Sequence, residues 1–277
     1  MKYYNVNCVK FGFSYEFSDF FIDNIEQYEI PKCEVNHHIK TVLLDTIEVP
    51  KGSTLYNLNN RAIFQTDSKE IVIVFSDNKP VLKIEKSNDY KEITLYLMKT
   101  MSGLAEIEYV YTGIFFMELC LYHGIQSIHG SAITCNEQAV IFSGPSGVGK
   151  STLVSHWKRL DSSIQIINDD KPLLSINHDI QVSGSPWSGK TKMNKNITLP
   201  LHSIVFLEQG LSNQVRQLSN PEKVLFVMKN INRPRQDDLW NKTQEVLEKL
   251  IDEIPMYLAS ITNSIEAAMS IKEKIGV

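Results

Sequence analysis

Cysteine is scarce in this chain of 277 residues, and what there is lies scattered. Cys8, Cys33, Cys120 and Cys135 lack both the paired spacing of a zinc site and the density of a small disulfide framework, so they are expected to be free thiols in a reducing compartment. A dense block of lysine or arginine is also missing and the formal net charge is −4, which argues against nucleic acid or an anionic membrane surface as the main partner. Long apolar runs are absent: the most apolar stretch, residues 109–122, is too short to span a bilayer and carries Glu118. The opening Met1-Lys2-Tyr3-Tyr4-Asn5 has no apolar segment of the secretory kind. These absences together predict a cytoplasmic protein with no membrane and no nucleic-acid partner. No repeat or low-complexity tract is visible, and a 43% apolar share suits a folded chain with one large core or two smaller ones.

The strongest positive signal is Gly144-Pro145-Ser146-Gly147-Val148-Gly149-Lys150-Ser151-Thr152. It reads Gly-x-x-x-x-Gly-Lys-Ser between the apolar run Ala139-Val140-Ile141-Phe142 and a stretch where Leu153, Val154, Trp157 and Leu160 recur at helical spacing. Strand, glycine-rich turn and helix in that order form a phosphate-binding loop. The glycines let backbone N–H groups face an anion, Lys150 reaches the β- and γ-phosphates, and Ser151 can hold Mg²⁺ at the helix start. ATP and Mg²⁺ are therefore the expected cofactors.

Upstream, residues 1–100 read as a small, mainly antiparallel β domain, with β-prone runs at 3–13, 40–49, 62–66, 71–75, 81–85 and 92–97. Ser76-Asp77-Asn78-Lys79-Pro80 is turn chemistry between two of them. Residues 104–122 carry a wide apolar face at helical spacing, and 101–124 are read as a connecting helix closed by Gly124. A hairpin follows, with His129-Gly130 in its first strand and Asn136-Glu137 at its turn; His129 is either a core residue or a neighbour of the phosphate loop. After the loop helix, the run 164–168 ends in Asp169-Asp170. Two carboxylates at a strand end beside a phosphate loop can divide the work, one ordering Mg²⁺ and one accepting a proton from an attacking hydroxyl. Residues 184–192 are too rich in Gly, Pro and Ser for a regular element, and Trp187 and Lys190 there are candidate substrate contacts, with a plain surface loop as the alternative. Further strands are expected at 204–207 and 256–261, and helices from residue 220, over 237–251 and after residue 263.

His129-Gly130 ahead of the loop and Asp169-Asp170 one helix after it resemble the HPr kinase/phosphorylase family and its relative, ATP-dependent phosphoenolpyruvate carboxykinase. The likeness runs from about residue 125 to the end. It implies an α/β fold, a phosphate-loop kinase domain of that type over residues 101–277, behind the small mainly-β N-terminal domain. It also implies that His129, Lys150 and Asp170 match active-site positions, that Ser151 matches a metal ligand, and that Asp169 lies beside them. The family's Glu-x-Arg-Gly signature is not recognisable, and 184–192 fall in its interval. The expected activity is ATP-dependent transfer of the γ-phosphoryl group to a hydroxyl, a serine of a peptide or protein, with Asp170 taking the proton, His129 orienting it, and Ser151 and Asp169 serving the metal. The alternatives are a nucleotide-dependent binding module with vestigial transfer and, more weakly, a small-molecule kinase or carboxykinase.

Overall fold

The computed structural model describes all residues except 53, 59, 177, 190 and 191, and the backbone alone at 56–58. It is mixed α/β with two mixed sheets, in two compact units, Met1–Leu119 and Cys120–Val277. Among the described residues no helix is long and apolar enough to cross a membrane.

The first unit is built from β1 (Lys2–Val6), β2 (Val9–Ser14), the short α1 (Ile22–Ile25), β3 (Glu29–Ile30), β4 (His37–Leu44), β5 (Tyr56–Leu58), β6 (Arg61–Gln65), β7 (Lys69–Ser76), β8 (Lys79–Ser87), β9 (Glu92–Met98) and α2 (Leu104–Tyr122). Its strands form one nine-stranded sheet in the order β3-β1-β2-β4-β9-β8-β7-β6-β5. The run at 3–13 is a hairpin rather than one strand, because Asn7 and Cys8 both take positive φ and close a two-residue turn; Asp77 and Asn78 do the same between β7 and β8. The sheet is not antiparallel throughout: β4 pairs in parallel with β2 on one side and with β9 on the other. β4 also begins earlier and stops sooner than the run 40–49, since Asp45 follows its last residue and no strand forms over 45–49.

α2 has the predicted span, but its place differs from the expectation of a pure connection. Through Leu119 it belongs to the first unit, where the Phe116 ring lies 4.9 Å from that of Phe11 on β2. The helix also takes part in an ion cluster through Glu118. Lys86 of β8, 3% exposed, donates to Glu118 at 2.6 Å and lies 3.3 Å from Glu70 of β7. Burial works against its charge, yet Glu118, Tyr90 and Glu70 outweigh it and raise the lysine above its ordinary value. Removing a partner from a buried ion cluster leaves a charge uncompensated. Lys86→Met is therefore expected to lose about 3–5 kcal/mol of stability in urea unfolding, and the double variant with Glu70→Gln to lose less. Equal losses in the two variants would mean that packing, not charge, decides the effect.

The second unit contains β10 (Gln126–Ser127), β11 (Gly130–Cys135), β12 (Gln138–Ser143), α3 (Lys150–Leu160), β13 (Ile166–Asn168), β14 (Leu173–Ile176), β15 (Ile180–Ser183), β16 (Thr198–Gln209), β17 (Gln214–Gln217), α4 (Asn220–Asn230), α5 (Asp237–Glu253), β18 (Met256–Ile261) and α6 (Ile265–Ile275). The sheet order is β10-β14-β15-β16-β12-β11-β13, and β18 joins β16 and β17. β16 pairs in parallel with β12 and with β18. Side chains alternate across these strands, so Ile141, Ile204 and Phe206 reach one core with Val227 of α4 and Leu250 of α5. Val140, Phe142, Val205 and Leu207 reach the other, with Trp157 of α3 and Ile271 of α6. Helices on both faces explain why β12 reads as an unbroken apolar run instead of an alternating one. α4 is capped by Ser219, whose capping box with Glu222 puts Pro221 one position later than Asn220-Pro221 alone implies.

Candidate active site

β12 ends at the centre of the second sheet and delivers the chain into the glycine-rich loop 144–149, and α3 starts at Lys150 with Gly149 as its N-cap. No side chain caps that helix, so its first N–H groups remain for an anion, which the helix dipole also favours. Gly144 has φ +148° and lies so close to β16 that a Cβ would meet the Leu207 carbonyl oxygen at 2.9 Å. The loop can follow this path only with glycine there.

A cavity of about 340 Å³ opens over the loop, lined by His129, Ser146, Gly147, Gly149, Lys150, Ser151, Thr152, Asp169, Asp170, Ser188 and Gly189. The fold thus gathers His129 from the start of β11, Lys150 from α3 and the acid pair from the end of β13. Of the other loop positions, Gly144 and Pro145 are outside the lining, and Val148 is buried in the core with Trp157.

His129 is the link between the two charged groups. Its Nε2 is 3.2 Å from the Lys150 ammonium and its Nδ1 is 3.1 Å from Asp170 Oδ1. An ammonium only donates, so Nε2 meets Lys150 as an acceptor, and with the ring proton on Nδ1 the histidine donates to the carboxylate. Lys150 also donates to the carbonyls of Gly144 at 2.9 Å and Pro145 at 3.2 Å. Burial lowers the Lys150 pKa, with Asp170 and Asp169 opposing it. Burial penalises the Asp170 carboxylate as well, but the hydrogen bond from His129 and the charge of Lys171 prevail and hold its pKa below the ordinary value. The histidine is itself fixed through its backbone, its N–H donating to Asn230 O and its carbonyl accepting from Ser143 Oγ, both at 2.7 Å.

Three contributors were not singled out by sequence reasoning. Lys171 stands 3.4 Å from Asp170 and 3.3 Å from His129 Nδ1, adding a second cation to the pair. Its only sequence signal is its position next to the acids. Ser131 donates to Asp169 Oδ1 at 2.6 Å and fixes that side chain's rotation. Asn168, fully buried, accepts from the N–H groups of Asp170 at 2.9 Å and Lys171 at 2.7 Å, an Asx turn that bends the chain and aims the acids. Its amide donates to Ser185 O at 3.0 Å and to Trp187 O at 3.4 Å, tying the acid turn to the loop beyond β15.

That loop departs from expectation. Residues 184–188 are buried, and Trp187 is 3% exposed, so its side chain is a packing element and not a surface offered to an acceptor. Lys190, the other candidate contact, lies outside the described residues. The loop reaches the cavity through Ser188 and Gly189, and Gly189, at φ +70°, sits where a Cβ would come within 3.0 Å of the Asp170 Cβ. Trp187→Ala is accordingly expected to cost about 3–5 kcal/mol in thermal or urea unfolding, as a buried large side chain does. A stable variant with only a weakened acceptor response would restore Trp187 as a specificity residue.

Among the described residues no group of three or more His, Cys, Asp or Glu forms a metal site. The donors present in the cavity are the Ser151 hydroxyl and the Asp169 carboxylate, whose second oxygen is not the one held by Ser131. So sparse a set of hard oxygens does not suit a resident cation. It does suit Mg²⁺ arriving with a nucleotide, because Mg²⁺ takes few protein ligands and completes its shell with phosphates and water.

No family model matches this chain, and no curated protein matches it. Among solved structures, the HPr(Ser) kinase/phosphatase from Coxiella burnetii is similar at a TM-score of 0.32 and 14% identity, over 55% of this chain and 99% of that one. A likeness so slight leaves the chemistry to be read from the site itself.

Proposed function

We propose that this chain is an ATP-dependent kinase that transfers the γ-phosphoryl group to a hydroxyl, a serine of a peptide or protein. The observation that carries the reading is the Lys150–His129–Asp170 chain of contacts beside an uncapped helix start, all within one cavity. Backbone N–H groups of residues 146–151 and the Lys150 ammonium bind the β- and γ-phosphates, with Lys150 leaving its carbonyl partners to do so. Asp170, held ionised, accepts the acceptor's hydroxyl proton as that oxygen bonds the γ-phosphorus and the bond from phosphorus to the β–γ bridging oxygen breaks, with ADP as the leaving group, and His129 keeps the carboxylate aimed through its Nδ1–H. Lys171 and the helix start offset the negative charge around the transferred group. Ser151 and Asp169 would hold Mg²⁺, which when bound neutralises phosphate charge. Gly189, lacking a side chain, leaves the approach to Asp170 open to an acceptor.

Incubation with labelled ATP, Mg²⁺ and cell extract tests this, with label expected on seryl groups of a polypeptide. Label appearing only as inorganic phosphate, or on a small molecule, would overturn the proposed acceptor. One observation favours a second reading, a nucleotide-dependent binding module: residues 188 and 189 are the only described part of their loop in the cavity, and neither is an acid. In that case the protein binds ATP tightly and turns over none.

A further inference from the structure

The stretch from Ile180 to Leu207 holds Lys190, Lys192 and Lys195 but no aspartate, glutamate or arginine, in a chain that has 32 acids and a formal net charge of −4. The fold wraps the middle of this stretch around the acid turn. At one end the backbone of Gly189 lies against Asp170, where a Cβ would come within 3.0 Å of the Asp170 Cβ. At the other, the Met193 carbonyl accepts the Asp169 N–H at 3.1 Å, Asn194 bridges to Asn168, and the Lys195 N–H donates to the Ile167 carbonyl at 2.9 Å. This antiparallel run makes Lys192 the next residue on the path from Met193 back to Gly189, beside the two carboxylates. Lys195 lies at the opposite end of β13, where it donates to Gln165 Oε1 at 2.7 Å. Lys192 takes φ +52° and is exposed, and Met193 after it is 47% exposed.

We infer that Lys192 and Met193 form the rim on which the acceptor docks, and that the acceptor is a peptide or protein segment whose serine has an acidic and an apolar residue close to it in sequence. The inference deepens the proposed transfer and rests on it, since it takes Asp170 as the point where the acceptor hydroxyl arrives. Charge decides the class of acceptor. Inside the turn Lys171 and Lys150 balance Asp170 and Asp169, so a further lysine on the rim leaves the approach positive. A carboxylate next to the serine is drawn to such a rim and a basic residue is repelled, and charges at the edge of an interface act in this way on the choice of partner. An ammonium on a flexible stem meets a carboxylate from many directions, which suits an extended segment that is itself mobile. Met193 adds contact, because its unbranched thioether adapts to whichever apolar side chain lies beside the acid. Extended chain advances about 3.3 Å per residue, so the acid read at Lys192 lies within about three positions of the serine.

The test offers three synthetic peptides as acceptors, alike in carrying one serine and one leucine and different only in having glutamate, glutamine or lysine on both sides of the serine. They are compared under saturating Mg²⁺-ATP in the wild type, in Lys192→Glu and in Met193→Ser. The wild type is expected to use the glutamate peptide with a kcat/KM about threefold to fivefold above the glutamine peptide, as one exposed ion pair allows, and the lysine peptide least of all. Added salt should narrow that preference. Lys192→Glu is expected to reverse the order, and Met193→Ser to raise KM about twofold to threefold for all three peptides. In both variants the affinity for Mg²⁺-ATP by titration calorimetry should change by less than about twofold, which also shows that they are folded. A wild type indifferent to the flanking charge, or a Lys192→Glu variant that keeps the wild-type order, overturns the docking rim and leaves the transfer reading standing. A wild type that binds Mg²⁺-ATP and phosphorylates none of the peptides overturns the transfer reading and this inference with it.

Discussion

Lys150→Ala is expected to abolish measurable phosphoryl transfer and to weaken ATP binding while leaving the fold intact. The side chain ends between two loop carbonyls and the imidazole of His129, inside a cavity whose burial already disfavours its charge. An ammonium kept in such a place gains most when anionic oxygens arrive, so its loss falls on the bound nucleotide and on the charge that builds during transfer. Removing one preorganised electrostatic donor of this kind costs on the order of 10²–10³ in rate. The loss of a charge-assisted hydrogen bond weakens binding by about tenfold or more. Lys150→Arg is not expected to rescue either quantity, because a planar guanidinium does not reproduce a compact ammonium wedged between the loop and His129. The measurements are ATP titration calorimetry, single-turnover transfer and circular dichroism on the same preparations. Unchanged affinity and turnover in the alanine variant would falsify the phosphate-loop assignment.

The second large effect is expected at Asp170. Asp170→Asn preserves shape and leaves the phosphate-binding groups untouched, so ATP affinity should hold while transfer falls on the order of 10²–10⁴. Asparagine has no lone carboxylate charge to take the hydroxyl proton, and its amide also meets the Nδ1–H of His129 less favourably. The pH dependence carries a sign. The folded-state pKa of Asp170 lies below its ordinary value, since His129 and Lys171 outweigh burial. Its ionised form therefore stabilises the native state above the ordinary aspartate range, and that contribution disappears as pH falls through the lowered value. Wild-type transfer should accordingly persist into mild acid, and the asparagine variant should lack that part of the acid sensitivity of stability. If the variant transfers at the full rate, Asp169 becomes the first alternative, although Ser131 already occupies one of its oxygens.

How far the sequence carried depended on whether a signal was local. The glycine-rich loop, the strand before it and the helix after it are encoded within about two dozen consecutive residues, and the hairpin turns at Asp77-Asn78 and Asn136-Glu137 are equally local. The strand pairings are not local. Nothing in β4 announces that it is flanked in parallel by β2 and by β9, whose residues come about fifty positions later. Loop 184–188 misled for a different reason. Its Gly, Pro and Ser content predicts exposure, but the Asn168 amide donates to the Ser185 and Trp187 carbonyls and the Ser185 hydroxyl to that of Trp187, so these backbone oxygens are buried with partners. Asn168 itself looked like the last residue of an apolar strand, and its task is visible only once the loop and the acid turn are seen to share it.

The parallel seating of β4 governs where the chain can be divided. A fragment beginning after β3 strips β4 of its neighbour β2 and bares a row of backbone donors and acceptors along what had been an interior strand, a template for intermolecular pairing. A cut at residue 100 fares no better, because α2 then leaves with the second unit while the sheet that covers Phe116 stays behind. Fragments of this chain should therefore be divided after Tyr122, where α2 ends, with the whole first sheet and its helix kept on one side of the cut.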